Sequence, residues 1–198
     1  MKARLWDRRL RRLVSALTNI GGASAVEFAL IVPVVIALYV ASVELGNLLT
    51  ISRRTAEVAS TAADLTAQVK TVSTADLQDI TAAATSILTP YPTTPQLKIV
   101  LSSVVADANN SPKVAWSYAA NGGTARAANS VVTLPAGLTQ ANSSVIMAEV
   151  TYAFSPLLNL TGCKTVNGVN PCPNPGFFTM ARTFYSRPRK SLTVAKTS

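Results

Sequence analysis

Residues 22–49 read GASAVEFALIVPVVIALYVASVELGNLL, and the organisation of the chain follows from this stretch. From Phe28 to Val43 there is no charged residue, and starting at Ala23 adds only Glu27. A bilayer core needs roughly 20 helical residues, so Ala23–Val43 is long enough to cross one. Upstream, Lys2, Arg4, Arg8, Arg9, Arg11 and Arg12 are opposed by Asp7 alone. Downstream, Arg53 and Arg54 are the next basic residues. Because basic residues stay on the cytoplasmic side of a span, the expected topology is a single pass. The N-terminus lies in the cytoplasm and the bulk of the chain lies outside.

The composition agrees with a span or a self-associating surface. Of the 198 residues, 48% are hydrophobic but only 14% are charged and 6% aromatic, against about 25% charged in an ordinary soluble domain. The net charge of +9 is unevenly spread, with six basic residues and one acid in residues 1–22. A basic run that abuts an apolar run reads as a topology signal rather than a nucleic-acid footprint, and no specific nucleic-acid partner is expected. The chain has no histidine. It therefore lacks the commonest general base, metal ligand and triad member.

Three readings of the N-terminus compete. It can be a cleaved signal peptide, with small residues Ala41 and Ser42 at the end of the apolar run. It can be a permanent anchor. Or it can be a pilin-type leader, and Glu27 favours this third reading. A charged carboxylate at the bilayer centre costs about 2.5–3.5 kcal/mol, so one inside an apolar run has a function or marks the headgroup level. The string Gly21-Gly22-Ala23-Ser24-Ala25-Val26-Glu27-Phe28 resembles a prepilin cleavage site, where a leader peptidase cuts after Gly and a Glu stands fifth in the mature chain.

More closely, the small residues after Gly22, the core Val26-Glu27-Phe28-Ala29-Leu30, Pro33 and the step Glu44-Leu45-Gly46 resemble the TadE-like family, minor pilins or pseudopilins of the Tad/Flp system. The resemblance covers about residues 20–65 and is weak over the rest. It implies cleavage between Gly22 and Ala23, and an assembly role for Glu27 and Phe28. Glu27 would pair with the N-terminal amine of a neighbouring subunit, since an unpaired buried carboxylate is costly and pairing enforces register. It implies, as partners, major and minor pilins, a prepilin peptidase, an inner-membrane assembly platform and membrane lipid. The place implied is the inner membrane with a periplasmic C-terminal domain, or the extracellular pilus. The alternative is a bitopic structural or adhesion protein that stays in the membrane and never joins a filament. Pro33 removes a backbone donor and can kink the helix, and Ser42-x-x-x-Gly46 is a small-residue step of the kind that allows close helix approach.

The helical pattern continues beyond Val43. Leu48, Ile51, Thr55, Val58, Ala62, Leu65, Val69 and Val72 form a seam with alternating steps of three and four. The seam suits packing on the chain's own sheet, on another subunit, or both. A second helix is expected over Ala75–Leu88, capped by Ser73 or Thr74 with Asp76 and Asp79 in its first turns. Pro90 and Pro92 end it. From Pro95 the pattern turns to β, with strands expected at Leu97–Ala106, Val114–Ala119, Ser144–Phe154 and Gly176–Ser186. The fold expected is α+β and pilin-like: a long N-terminal helix, first transmembrane and then amphipathic, packed on a small antiparallel sheet. The segments are a leader over 1–22, a transmembrane half-helix over 23–43, a helical region over 44–89 and a β-rich domain over 90–198.

No enzyme is expected. Past Leu88 the only carboxylates are Asp107 and Glu149, read as a turn aspartate and a strand-face glutamate. Asn121-Gly122-Gly123 reads as a hairpin turn and not a phosphate loop. No cofactor or metal is expected, since two cysteines without a histidine do not make a tetrahedral site. The basic C-terminus, Arg182 through Lys196, reads as a solvated strand end and frayed tail. Cys163 and Cys172, with Asn167-Gly168 and Pro171 between them, are suited to a disulfide outside the cytoplasm, with buried free thiols as the alternative. Non-reducing peptide mapping of exported protein is expected to show one Cys163–Cys172 crosslink. Two alkylatable thiols in freshly exported material would rule it out.

Overall fold

The computed structural model describes residues 20–156 and 178–197; the expected Cys163–Cys172 pair lies outside these described residues. Among them, the elements run α1 (Ile20–Ala67), β1 (Thr71–Val72), α2 (Thr74–Ser86), β2 (Leu97–Ala106), β3 (Pro112–Ala120), β4 (Ser144–Phe154), β5 (Phe178–Ser186) and β6 (Ala195–Lys196). The α+β class expected from the sequence is what is observed. The chain divides into two compact units, Met1–Gly46 and Asn47–Ser198. The described part of the first is the N-terminal half of α1, taken up in the next subsection.

In the second unit, four strands form an antiparallel sheet in the order β3-β2-β4-β5. Strand β2 is central because Leu97, Ile99 and Leu101 alternate onto one face, and all three are buried. Opposite them on β4 stand Tyr152, Val150 and Ala148. The C-terminal part of α1 lies on this face: Ile51, Val58, Ala59, Ala62, Ala63 and Ala67 share one core with these strand residues. Alanine dominates this face of the helix, with Ala59, Ala62, Ala63 and Ala67 all buried. The two hydroxyls on that face, Thr55 and Thr66, donate back to the carbonyls of Ile51 and Ala62 at 2.7 and 2.8 Å and bring no unmet donor into the core.

The seam read from the sequence holds as far as Ala62 and then rotates. Ala63, Thr66 and Ala67 are buried, whereas Leu65 is only half-buried. The reason is geometric. A straight helix drifts by about 20° per heptad relative to a 3.5-residue repeat, and a helix that lies on a sheet has no supercoil to correct the drift.

Helix α2 begins where the sequence placed it. The Ser73 hydroxyl accepts from the Asp76 amide at 3.1 Å, and the Asp76 carboxylate accepts from the Ser73 amide at 2.8 Å, a reciprocal capping box. The hydrogen bonds from the backbone and then the hydroxyl of Ser73 hold the Asp76 carboxyl below its usual value. The far end is capped from α1. The Arg54 guanidinium donates to the carbonyls of Ile87 (2.9 Å) and Thr89, and it lies 5.7 Å from the centre of the Tyr91 ring. A cation at a helix C-terminus meets the negative end of the helix dipole. Leu77, Ala84 and Leu88 join the same core.

The opposite face of the sheet carries a smaller core of Val104, Val114, Val145 and Met147. Val132, with Leu134 and Leu138 beside it, covers this core from the long connection between β3 and β4. That connection differs from the sequence reading. Asn121 and Gly122 do form a turn, at φ 55° and 75°. However, the chain that leaves the turn does not return as a neighbouring strand. It runs along the outer edge of β3, held by Val114 N–H to Ser130 O (3.0 Å) and Val132 N–H to Pro112 O (3.1 Å). Residues 123–130 contain Gly123, Ala125, Ala127, Ala128 and Asn129 but no alternating run of large apolar residues, and so make no full strand.

The C-terminal tail also departs from its reading as a frayed end. Strand β6 pairs in parallel with β1, matching Thr71 with Ala195 and Val72 with Lys196. The Arg189 amide donates to Ala67 O at 2.9 Å, and Arg189 forms an ion pair with Asp64. Val194 is buried under the sheet, where its carbonyl accepts from Trp116 Nε1 at 2.7 Å. Leu192, Val194 and Ala195 are too few, in a basic stretch, to give a periodic signal. What anchors the tail is the Trp116 donor, which requires a partner once buried. Val194→Ala should therefore lower the unfolding free energy by about 2 kcal/mol, whereas Leu192→Ala should change it by less than about 0.5 kcal/mol. Val194 is 1% exposed and Leu192 82%. Urea denaturation of the detergent-solubilised chain gives both values, and equal effects would mean that the tail does not dock.

Candidate functional site: the exposed apolar helix

Gly22, Ala23, Glu27 and Phe28 all lie in the first turns of α1. Ala23 and Glu27 are four residues apart, which places them on one face about one turn from each other. A chain that began at Ala23 would thus carry its free amine one turn from the Glu27 carboxylate. Among the described residues, no hydrogen-bond or ion-pair partner is found for Glu27.

The side chains that follow are apolar on every side of the helix. Phe28 is 69%, Leu30 71% and Tyr39 71% exposed, and Ile31, Val34, Val35, Ile36 and Leu38 are exposed between them. At 100° per residue these positions go all round the axis, so no single face can be covered by packing on one neighbour. Each large apolar side chain left in water forfeits about 1.5–3 kcal/mol. Eleven such exposed residues lie between Val26 and Leu45, a total comparable to or above the 5–15 kcal/mol that holds a whole domain together. Water is therefore the wrong solvent for this segment, and α1 is long and apolar enough to cross a membrane.

The polar groups inside the segment fit an apolar solvent. Ser42 donates to Leu38 O at 2.8 Å and so has an intrahelical partner. Pro33 sits inside α1 without ending it. Lacking an N–H, it leaves the Ala29 carbonyl without its usual helical donor.

Residues 22–64 match the family model for TadE-like proteins. No curated protein and no solved structure matches the chain. The TadE-like match links the chain to proteins associated with the Tad pilus, and an apolar N-terminal helix is compatible with a membrane anchor in that setting. The matched residues include Gly22, Ala23, Glu27 and Phe28, and they run on to Asp64, through the alanine face that packs on β2 and β4.

Outside the matched segment, Asp107 and Glu149 have partners within the fold. Asp107 accepts from the amides of Ser111 (2.9 Å) and Asn109 (3.0 Å) and pairs with Lys113 at 3.4 Å. The hydrogen bond from the Ser111 amide leads in holding its carboxyl low. Glu149 takes Arg126 in a two-pronged pair, Nε and Nη2 each at 2.7 Å, which raises the arginine pKa further. The Arg126 amide is itself placed by the Ser117 hydroxyl at 3.0 Å. Glu149 stands opposite Val100, seven residues along the chain from Asp107, which is about 20 Å in extended backbone. Two carboxylates that far apart cannot share one scissile bond. Among the described residues, no group of three His, Cys, Asp or Glu side chains comes together. The tyrosine with a displaced pKa, Tyr152, is shifted up by burial and donates to Pro92 O at 2.9 Å.

Proposed function

We propose that this chain is a minor pilin of a Tad/Flp-type pilus and not an enzyme. It is made with a basic leader, inserted with its N-terminus in the cytoplasm, and trimmed between Gly22 and Ala23 by a prepilin peptidase. The inner membrane holds the apolar half of α1 before assembly, with the Asn47–Ser198 unit in the periplasm. On assembly the same helix exchanges lipid for the helices of major and minor pilins at the inner-membrane platform. The pilus then carries the folded unit to the cell surface, where it contributes to adhesion.

One observation carries this reading: a TadE-like helix that is apolar all round yet bears a carboxylate, Glu27, one turn from the proposed new N-terminus. In lipid, Glu27 can sit at the headgroup level. Within a bundle of helices it needs a cation, and the Ala23 amine of a neighbouring subunit supplies one. A buried carboxylate left alone is costly, so the amine selects both the partner and its axial register. Phe28, next to Glu27, is placed to pack against the same neighbour.

The N-terminus and intact mass of protein recovered from envelopes test the processing step. The expected start is Ala23, and it should be lost when the prepilin peptidase is absent. An intact leader in wild-type envelopes would leave a permanent bitopic anchor, and a start beyond Ser42 would leave a secreted domain. Glu27→Ala tests assembly separately. It should leave membrane insertion unchanged and lower the amount of pilus recovered from sheared cells at least tenfold. Normal piliation in this variant would remove the pairing role from Glu27.

A further inference from the structure

The sheet has two edges, and the structure treats them differently. The outer side of β3 is occupied by residues 129–132, through Asn129, Ser130 and Val132 and a bridge between Lys113 and Val131. The outer side of β5 pairs with nothing among the described residues. Which of its groups face outward follows from register. The Ala153 amide donates to Gln96 O, so odd-numbered β4 residues direct their backbone groups towards β2. Their partners on β5 are Thr179, Ala181, Thr183 and Tyr185. These four therefore point N–H and C=O away from the sheet. Consistent with this, the Ala181 carbonyl accepts from the Arg182 guanidinium at 3.3 Å.

Among the described residues nothing guards this edge, which is long and regular. Strand β5 has no proline and no bulge, and its only charge is Arg182, although exposed edges are usually blunted by such devices. Its helix-side face is also unfilled. Phe178 is 48% and Phe184 43% exposed, and a groove of about 730 Å³ runs between Phe184 and the α1 residues Ser60, Asp64 and Leu65. The surroundings are basic. Arg182 reaches Ser52 Oγ at 2.7 Å, Arg187 reaches Leu138 O at 3.1 Å, and Lys190 follows, with Asp64 already taken by Arg189. The ligands of Arg182 and Arg187 are neutral, so these two charges are not cancelled.

We propose that β5 is a docking edge for an extended, acidic polypeptide segment of another protein, which adds to the sheet as a fifth strand. Backbone hydrogen bonds to Thr179, Ala181, Thr183 and Tyr185 give the pairing. The side chains of the incoming strand on the helix-side face, which β5 lines with Arg182 and Phe184, include its carboxylates, and these meet Arg182 and Arg187 at the rim of the groove. Charge decides against a second copy of this chain as occupant. Antiparallel β5–β5 pairing about the middle of the strand sets Arg182 of each copy opposite the other, and like charges directly opposed are destabilising.

The test is a fluorescence-anisotropy titration of the full chain in a neutral detergent. The probes are a labelled eight-residue peptide of alternating Val and Glu and the same peptide with Lys for Glu. The Glu peptide is expected to bind at least tenfold more tightly than the Lys peptide. Arg182→Glu should weaken the Glu peptide at least tenfold. Ala181→Pro removes one outward N–H without touching the β4–β5 ladder or any charge, and it should weaken binding at least tenfold as well. Binding unchanged in Ala181→Pro would mean charge attraction elsewhere, as would equal binding of both peptides, and either result overturns the proposal. If Ala181→Pro fails to fold, amide exchange in the wild-type chain decides instead. The peptide should slow exchange at Ala181 and Thr183, and no slowing overturns the proposal. Concentration-dependent dimerisation that Arg182→Glu strengthens would make a second copy the occupant and overturn it too.

Discussion

The burial of one face of α1 against the sheet governs the Asn47–Ser198 unit. Val58, Ala59, Ala62 and Ala63 share one core with Leu97, Ile99 and Leu101 on β2 and with Ala148 and Val150 on β4. Other features of the unit build on that shared core. Arg54, on α1, reaches the end of α2, and α2 adds Leu77 and Ala84 to the same core. A sheet of four strands gains little stability with one face bare. Larger residues on the helix would raise it and open voids over both neighbours, at the cost that any cavity brings.

Much of this was legible in the sequence because the signals were periodic. The strands Leu97–Ala106 and Ser144–Phe154 are apolar-rich runs of ten and eleven residues, and such runs bounded by Pro and Asn clusters leave few other readings. The start of α2 was legible because Ser73 and Asp76 stand at the spacing of a capping box. The exposed apolar helix was legible from composition alone, since sixteen uncharged residues in a row, Phe28 to Val43, have few alternatives. The candidate site was legible at the level of Glu27 against an apolar background and no finer, because among the described residues no partner is found for Glu27.

Other features were hidden, for one shared reason: they rest on single contacts between distant residues. The tail docks through Val194 and Trp116, the β3 edge is covered through Ser130 and Val132, and the outer side of β5 has no partner among the described residues. None of these has a period. Arg126 is another example. Read alone it is one basic residue among eighteen, and only the Ser117 hydroxyl and the pairing of Val100 with Glu149 give it a place. The rotation of the buried face beyond Ala62 was hidden differently. The sequence supports a 3.5 repeat and a 3.6 repeat almost equally over about three heptads, and a helix that packs on a sheet without a supercoil follows the second.

The pairing of β6 with β1 also bears on when the unit can fold. Its partners are 124 residues apart, Thr71 with Ala195, and the burial of Trp116 is completed by Val194. During synthesis or passage through a membrane channel, the chain emerges from its N-terminal end. Helix α1, α2 and the first strands are then available early, but the seat of Trp116 stays open and the Ala67 carbonyl waits for the Arg189 amide. Closing so long a loop is slow compared with local pairing. The last residues to appear therefore act as a latch, so the finished unit exists only after almost the whole chain has emerged.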